Sequence, residues 1–109
     1  MPNTNTLPDV STYRRTLGST DVAISPIGLG CMGMSDYYGT ADDAKSTALL
    51  QHALDVGMNF FDTADVYGPW TNEGLLGSAL AGRRDEAVIA TKFGIMRDES
   101  GTILGINGK

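Results

Sequence analysis
The sequence predicts an α/β fold with parallel strands, on three observations. Short strand-like runs stand at residues 27–30, 60–63 and 87–91. Two stretches between them carry apolar residues at helical spacing. Strand and helix therefore alternate, and that order implies parallel strands joined by right-handed crossovers.

The elements follow in order. Residues 1–12 are polar, contain Pro2 and Pro8, and are expected to form a flexible tail. Tyr13, Thr16 and Leu17, then Gly18-Ser19-Thr20-Asp21, then Val22-Ala23-Ile24 predict a small hairpin. The run at 27–30 reads as a buried strand, and residues 34–41 as a loop holding Tyr37 and Tyr38. Thr40 and Asp43 resemble a capping pair. Leu49, Leu50, Ala53, Leu54 and Val56 mark a helix, which Gly57 closes. A second strand covers 60–63. Asn72 is the expected N-cap of a shorter helix with Leu75, Leu76, Ala79 and Leu80, ending at Gly82. The third strand, 87–91, leads into Lys92-Phe93-Gly94. Residues 95–109 show no periodicity and are expected to be loop. Three parallel strands cannot close a barrel and leave an edge bare.

Composition narrows the function. The 109 residues suit one small domain, which buries only about two-thirds of its unfolded surface. A net charge of -5, with no basic cluster beyond Arg14-Arg15 and Arg83-Arg84, argues against nucleic-acid and anionic-membrane partners. One cysteine, Cys31, excludes an internal disulfide, and with His52 as the single histidine no structural zinc site is expected. A reducing compartment follows, with the cytoplasm as the expected location. The opening residues form neither a signal peptide nor a membrane span.

One motif misleads. Gly28-Leu29-Gly30-Cys31-Met32-Gly33 matches a dinucleotide fingerprint, with Asp55 downstream. That fingerprint needs a helix opening at its third glycine. Here a loop intervenes, and Asp55 falls within a helix. The glycines read better as a turn or as a close approach of backbone to a ligand.

A different constellation carries chemistry. Asp62 ends the second strand and Lys92 the third, so on neighbouring parallel strands the two can meet. Tyr67 follows in the loop over the same rim, where barrel enzymes place their chemistry. Reducing a carbonyl by hydride needs a proton at the developing alkoxide. A phenol with an ordinary pKa of about 10 is a poor acid at neutral pH, and a nearby ammonium improves it. Tyr67 would be the general acid, Lys92 its tuner and Asp62 the anchor of the lysine. Taken singly, each has a plainer reading as a turn residue, a solvated lysine or a packing tyrosine. The joint spacing carries the case.

The stretch Phe60-Phe61-Asp62-Thr63-Ala64-Asp65-Val66-Tyr67-Gly68, then Asn72-Glu73 and Leu75-Leu76-Gly77, strongly resembles the aldo-keto reductases. So do Ile27-Gly28-Leu29-Gly30-Cys31-Met32-Gly33-Met34 and Ala90-Thr91-Lys92-Phe93-Gly94. The segment from Cys31 to Gly39 is most similar to a bacterial, plant and fungal branch with glycine-cysteine-methionine-glycine-methionine. The resemblance implies a TIM (β/α)8 barrel with an N-terminal hairpin across its floor. Residues 13–109 would be the hairpin and first three β/α units, an incomplete barrel. It further implies that Asp62, Tyr67 and Lys92 match three of four catalytic positions. Gly30, Cys31, Met32 and Asp62 would lie near the nicotinamide of NADP(H). Glu73 is assigned to support. No residue matches the fourth catalytic position, a histidine after the fourth strand. The family's groups for the pyrophosphate and 2′-phosphate have no counterpart either.

Other candidates weigh less. His52 lies about 120° from the centre of its helix's apolar face and reads as a surface residue. Cys31 has no basic neighbour in sequence and reads as a small buried thiol. Trp70 lines a substrate mouth or packs on the rim, with nothing to choose between them. Asp65, Tyr37 and Tyr38 could shape the pocket. Arg83-Arg84-Asp85-Glu86 reads as a solvated turn.

The expected parent function is NADPH-dependent reduction of an aldehyde or ketone to an alcohol, without a metal. The 109 residues are expected to be an N-terminal fragment without turnover of its own. The alternative is a truncated, non-enzymatic protein that associates with itself, through the exposed sheet edge, or with a full-length relative. A metal-dependent hydrolase on the same barrel is disfavoured, because no histidine stands at a strand end.

Overall fold
A computed structural model describes residues 9–35 and 42–108. A two-residue pair opens the fold: β1 (Arg15–Thr16) and β2 (Ala23–Ile24) are antiparallel. Then come β3 (Leu29–Gly30), α1 (Asp43–Asp55), β4 (Phe60–Asp62), α2 (Asn72–Ala79) and β5 (Val88–Ala90). The three strands β3, β4 and β5 form one parallel sheet in chain order. The predicted hairpin and strand-helix alternation are both present.

Register explains what the sheet positions. Leu29, Phe61 and Ile89 lie in one row. Phe61 is fully buried, and Leu29 and Ile89 pack against the same core. That core joins the row to Leu50, Ala53 and Leu54 of α1 and to Leu76, Ala79 and Leu80 around α2. Burying a side chain such as Phe61 or Leu50 contributes about 1.5–3 kcal/mol. Because side chains alternate along a strand, the next row, Gly30, Asp62 and Ala90, faces the other way. Asp62 is thus flanked by a glycine and an alanine, which leave its carboxylate room.

Polar contacts fix the lower end. Asn59 is buried; its side chain accepts from Ser25 N at 2.7 Å and donates to Ala23 O at 2.9 Å. One side chain thereby ties the hairpin to the start of β4.

Several expectations need correction. Thr40 lies outside the described residues, as do Tyr37 and Tyr38; the cap of α1 is Asp42, whose carboxylate accepts from Lys45 N at 3.1 Å. Asn72 is not a cap. It is the first residue of α2, after Thr71, and its side chain points into the protein. Of the expected tail, residues 1–8 lie outside the described residues. Val10 N donates to Val56 O at 2.8 Å, and Ser11–Tyr13 form a 3-10 turn, so residues 9–12 are held. The expected loop at 95–109 contains an antiparallel hairpin, β6 (Ile95–Arg97) and β7 (Ile103–Ile106). Gly105 hid it, by breaking the alternation that marks a strand within β7. The turn Asp98-Glu99-Ser100-Gly101 was its available signal: Asp98 Oδ1 accepts from Ser100 N and Thr102 N.

The dinucleotide fingerprint is not used as such. After Gly30 the chain makes a 3-10 turn, Met32–Met34, and α1 begins only at Asp43. Asp55 ends that helix and pairs with Arg83 at 2.7 Å. Arg83 also bonds Glu86 at 2.8 Å, so the turn after α2 is pinned to the end of α1. His52 is exposed.

Candidate active site
The C-terminal ends of β4 and β5 bring three polar side chains together. Lys92 Nζ lies 2.7 Å from Asp62 Oδ2 and donates to Thr63 O at 2.7 Å. It also sits over the Tyr67 ring, 5.2 Å from the centroid. Burial works against the Lys92 charge, but hydrogen bonds to Asp62 and Tyr67 outweigh it and raise its pKa above that of an ordinary lysine. Both partners of the ion pair are 49% exposed. An exposed pair adds little stability, about 0–1 kcal/mol. Its consequence is orientation: the ammonium is fixed between a carboxylate, a carbonyl and a phenol ring.

The loop after β4 brings Tyr67 back to the rim. Thr63 N donates to Ala90 O, and Asp65 N to Lys92 O, so the chain still follows β5 as it leaves the sheet. Tyr67 O then accepts from both Thr71 N and Asn72 N, which joins the loop to the start of α2. Glu73 accepts from Thr91 Oγ1 at 2.6 Å, tying α2 to the end of β5. That is the supporting place expected of it.

Gly30, Cys31 and Met32 lie on the same rim, beside Asp62. Gly30 is the register partner of Asp62, and Cys31 N donates to Asp62 O at 2.9 Å. A Cβ on Gly30 would meet nothing within 4 Å, so the backbone there is open to approach. Cys31 itself is fully buried, and burial pushes its thiol up to about 11. The side chain is therefore inert packing, and what this segment presents is main chain.

A cavity of about 250 Å³ opens beside Tyr67, lined by Met32, Val66, Tyr67, Ile95, Arg97 and Ile103. Ile95, Arg97 and Ile103 come from the hairpin that the sequence did not reveal. Arg97 Nη1 donates to Val66 O at 2.9 Å and fastens that hairpin to the loop carrying Tyr67. Trp70 is 54% exposed with a left-handed φ of 59°, and is not among the lining residues. Asp65 has one carboxylate oxygen buried without a hydrogen-bond partner, beside a small space that Tyr67 and Lys92 also line.

Three parallel strands with helices on one face, and a lysine, aspartate and tyrosine at their C-terminal ends, match the opening units of a β/α barrel. The sequence profile of the Aldo/keto reductase family matches residues 26–103. The chain belongs to that family. Among solved structures, a Pseudomonas aeruginosa protein assigned to the aldo-keto reductases superimposes with a TM-score of 0.76 at 35% identity, covering 90% of this chain and 37% of that one. A second structure from the same organism gives 0.74 at 36% identity, covering 90% and 36%. An aldo-keto reductase from Bacillus halodurans, in its holo form, gives 0.70 at 39% identity, covering 86% and 29%. The chain thus spans about a third of the length of these relatives.

Among the described residues, no helix is long and apolar enough to cross a membrane. Nor do three His, Cys, Asp or Glu side chains group there to hold a metal ion.

Proposed function
We propose that this chain supplies the proton-donating half of an NADPH-dependent carbonyl reductase, acting in the cytoplasm on an aldehyde or ketone. The observation that carries the reading is the Lys92 ammonium, held 2.7 Å from Asp62 and over the Tyr67 ring. Residues 13–109 would be the corresponding part of the barrel domain.

The rim suits the nicotinamide end of NADP(H). Gly30 leaves open space, the main chain from Gly30 to Met32 borders it, and Asp62 stands alongside. A dihydronicotinamide held there would supply the hydride for the carbonyl carbon. Tyr67 gives its phenolic proton to the carbonyl oxygen as negative charge develops there. Lys92 keeps its ammonium over the phenol ring, where it faces the charge left when the proton departs. Asp62 and Thr63 O keep that ammonium in place. The cavity beside Tyr67 has Val66, Ile95 and Ile103 in its wall, which suits a carbonyl compound with apolar substituents.

The 109 residues alone carry three of the four catalytic positions that the family resemblance implies, and no turnover is proposed for them alone. The test has two arms. In place of the matching stretch of the Pseudomonas aeruginosa relative, this chain should support NADPH-dependent carbonyl reduction, and Tyr67→Phe should lower it about a hundredfold to ten-thousandfold. An unaffected Tyr67→Phe chimera would sink the assignment of Tyr67. Titrated by itself, the chain should leave NADPH fluorescence unchanged at micromolar cofactor; saturable binding would overturn the incomplete-site reading.

A second reading has its own observation. Phe93, Ile95, Met96, Ile103, Leu104 and Ile106 are all exposed, and five of them lie on the β6–β7 hairpin. A grouping of this kind favours association with a second copy or a longer relative.

A further inference from the structure
The rim is held by a residue outside the catalytic trio. Asn72 is fully buried, and each polar atom of its side chain has a partner. Nδ2 donates to Cys31 O at 2.9 Å and to Ser35 Oγ at 2.8 Å. Oδ1 accepts from Thr63 Oγ1 at 2.5 Å. Its backbone N–H donates to Tyr67 O at 3.1 Å. One residue therefore touches the segment after β3, the end of β4 and the loop bearing Tyr67. Thr63, which it holds by the hydroxyl, offers its carbonyl to Lys92 Nζ.

We propose that Asn72 is a positioning residue, a buried tie that sets the Cys31-to-Ser35 segment and Tyr67 against the strand ends carrying Asp62 and Lys92. A leucine in the first turn of α2 would satisfy helix packing with less desolvation. Asparagine instead matches two donors and an acceptor to three groups on two separate segments, and such a network specifies one geometry when every member is satisfied. Without it, Cys31 O and Thr63 Oγ1 are buried polar atoms deprived of their partner, and the segment after β3 is free to leave the rim.

The inference rests on reading this rim as the nicotinamide seat, yet its test needs no cofactor. Failure of NADPH to bind and failure of the tie are therefore separate results. Cys31 is the chain's single cysteine and is fully buried, so its labelling by a disulfide reagent reports opening of this segment. Asn72→Asp removes both donors at constant size. Leu76→Ala, one turn further along α2, loosens the core without touching the three bonds. Labelling rates are compared after correction for each variant's unfolding equilibrium in urea. Asn72→Asp is expected to label about tenfold faster than Leu76→Ala, equivalent to about 1.4 kcal/mol of local opening. Ser35→Ala removes one acceptor at a half-buried site and should give about a threefold increase, equivalent to about 0.65 kcal/mol, even if Asn72→Asp does not fold. Equal corrected rates for Asn72→Asp and Leu76→Ala would overturn the proposal. So would unchanged labelling in Ser35→Ala, or wild-type Cys31 reacting as fast as in the unfolded chain.

Discussion

Cys31 shows how a side chain can stand at a site without taking part in its chemistry. Its thiol is sealed in the core while its backbone N–H and carbonyl face Asp62 and Asn72. Burial penalises the thiolate, so the folded chain keeps the proton up to about 11, above the ordinary value of 9.0. Unfolded chain ionises first as pH rises. The contribution of Cys31 is thus intact below about 9 and is lost as pH climbs through about 11. Urea midpoints measured across that window should fall for the wild type and fall less steeply for Cys31→Ala; parallel curves would contradict the assignment. Sequence alone made the buried thiol legible, because nothing basic stands near it in the chain. It could not show Asn72 as a hub. Asparagine before a helix is a common cap, and only the packed structure reveals that its side chain turns inward.

At the scale of elements, the most legible parts were those whose signals are local. Leu50, Ala53 and Leu54 mark α1 by spacing, and Gly57 closes it with a φ of 88°. That glycine also has a long-range reason to be there. A Cβ would come within 2.6 Å of Ser11 N and 2.7 Å of Asp9 Oδ1, where the first described residues cross the helix end. Gly57→Ala should therefore destabilise by roughly 1–3 kcal/mol, from strain at positive φ together with that clash. Thermal or urea unfolding would measure it. A loss no greater than that of an exposed helical substitution would mean that residues 9–11 do not lie there. The hairpin β6–β7 was illegible for the opposite reason. Its strands are short, β7 is interrupted by Gly105, and the hairpin is held by a distant contact, Arg97 to Val66 O. For the site, the strand-end positions of Asp62 and Lys92 followed from the alternation of strand and helix. The cavity did not, since half its named lining comes from that hairpin.

At the scale of the whole chain, apolar surface is left facing outward. β3 and β5 are the outer strands of the parallel sheet, and the hairpin beyond them exposes Ile103, Leu104 and Ile106. If association follows from this surface, sedimentation should show the chain forming larger species as concentration rises. Ile103→Lys with Ile106→Lys should shift it toward monomer. A wild type that stays monomeric at high micromolar concentration would remove the second reading. The hairpin has another effect, on the loop it grips. Arg97 holds the carbonyl of Val66, Thr71 and Asn72 hold that of Tyr67, and Asp65 is bonded to Lys92. A peptide anchored at three successive residues has little conformational entropy left to lose. A ligand arriving at this rim would meet a loop whose main chain is already ordered, so ordering of that loop would subtract little from affinity.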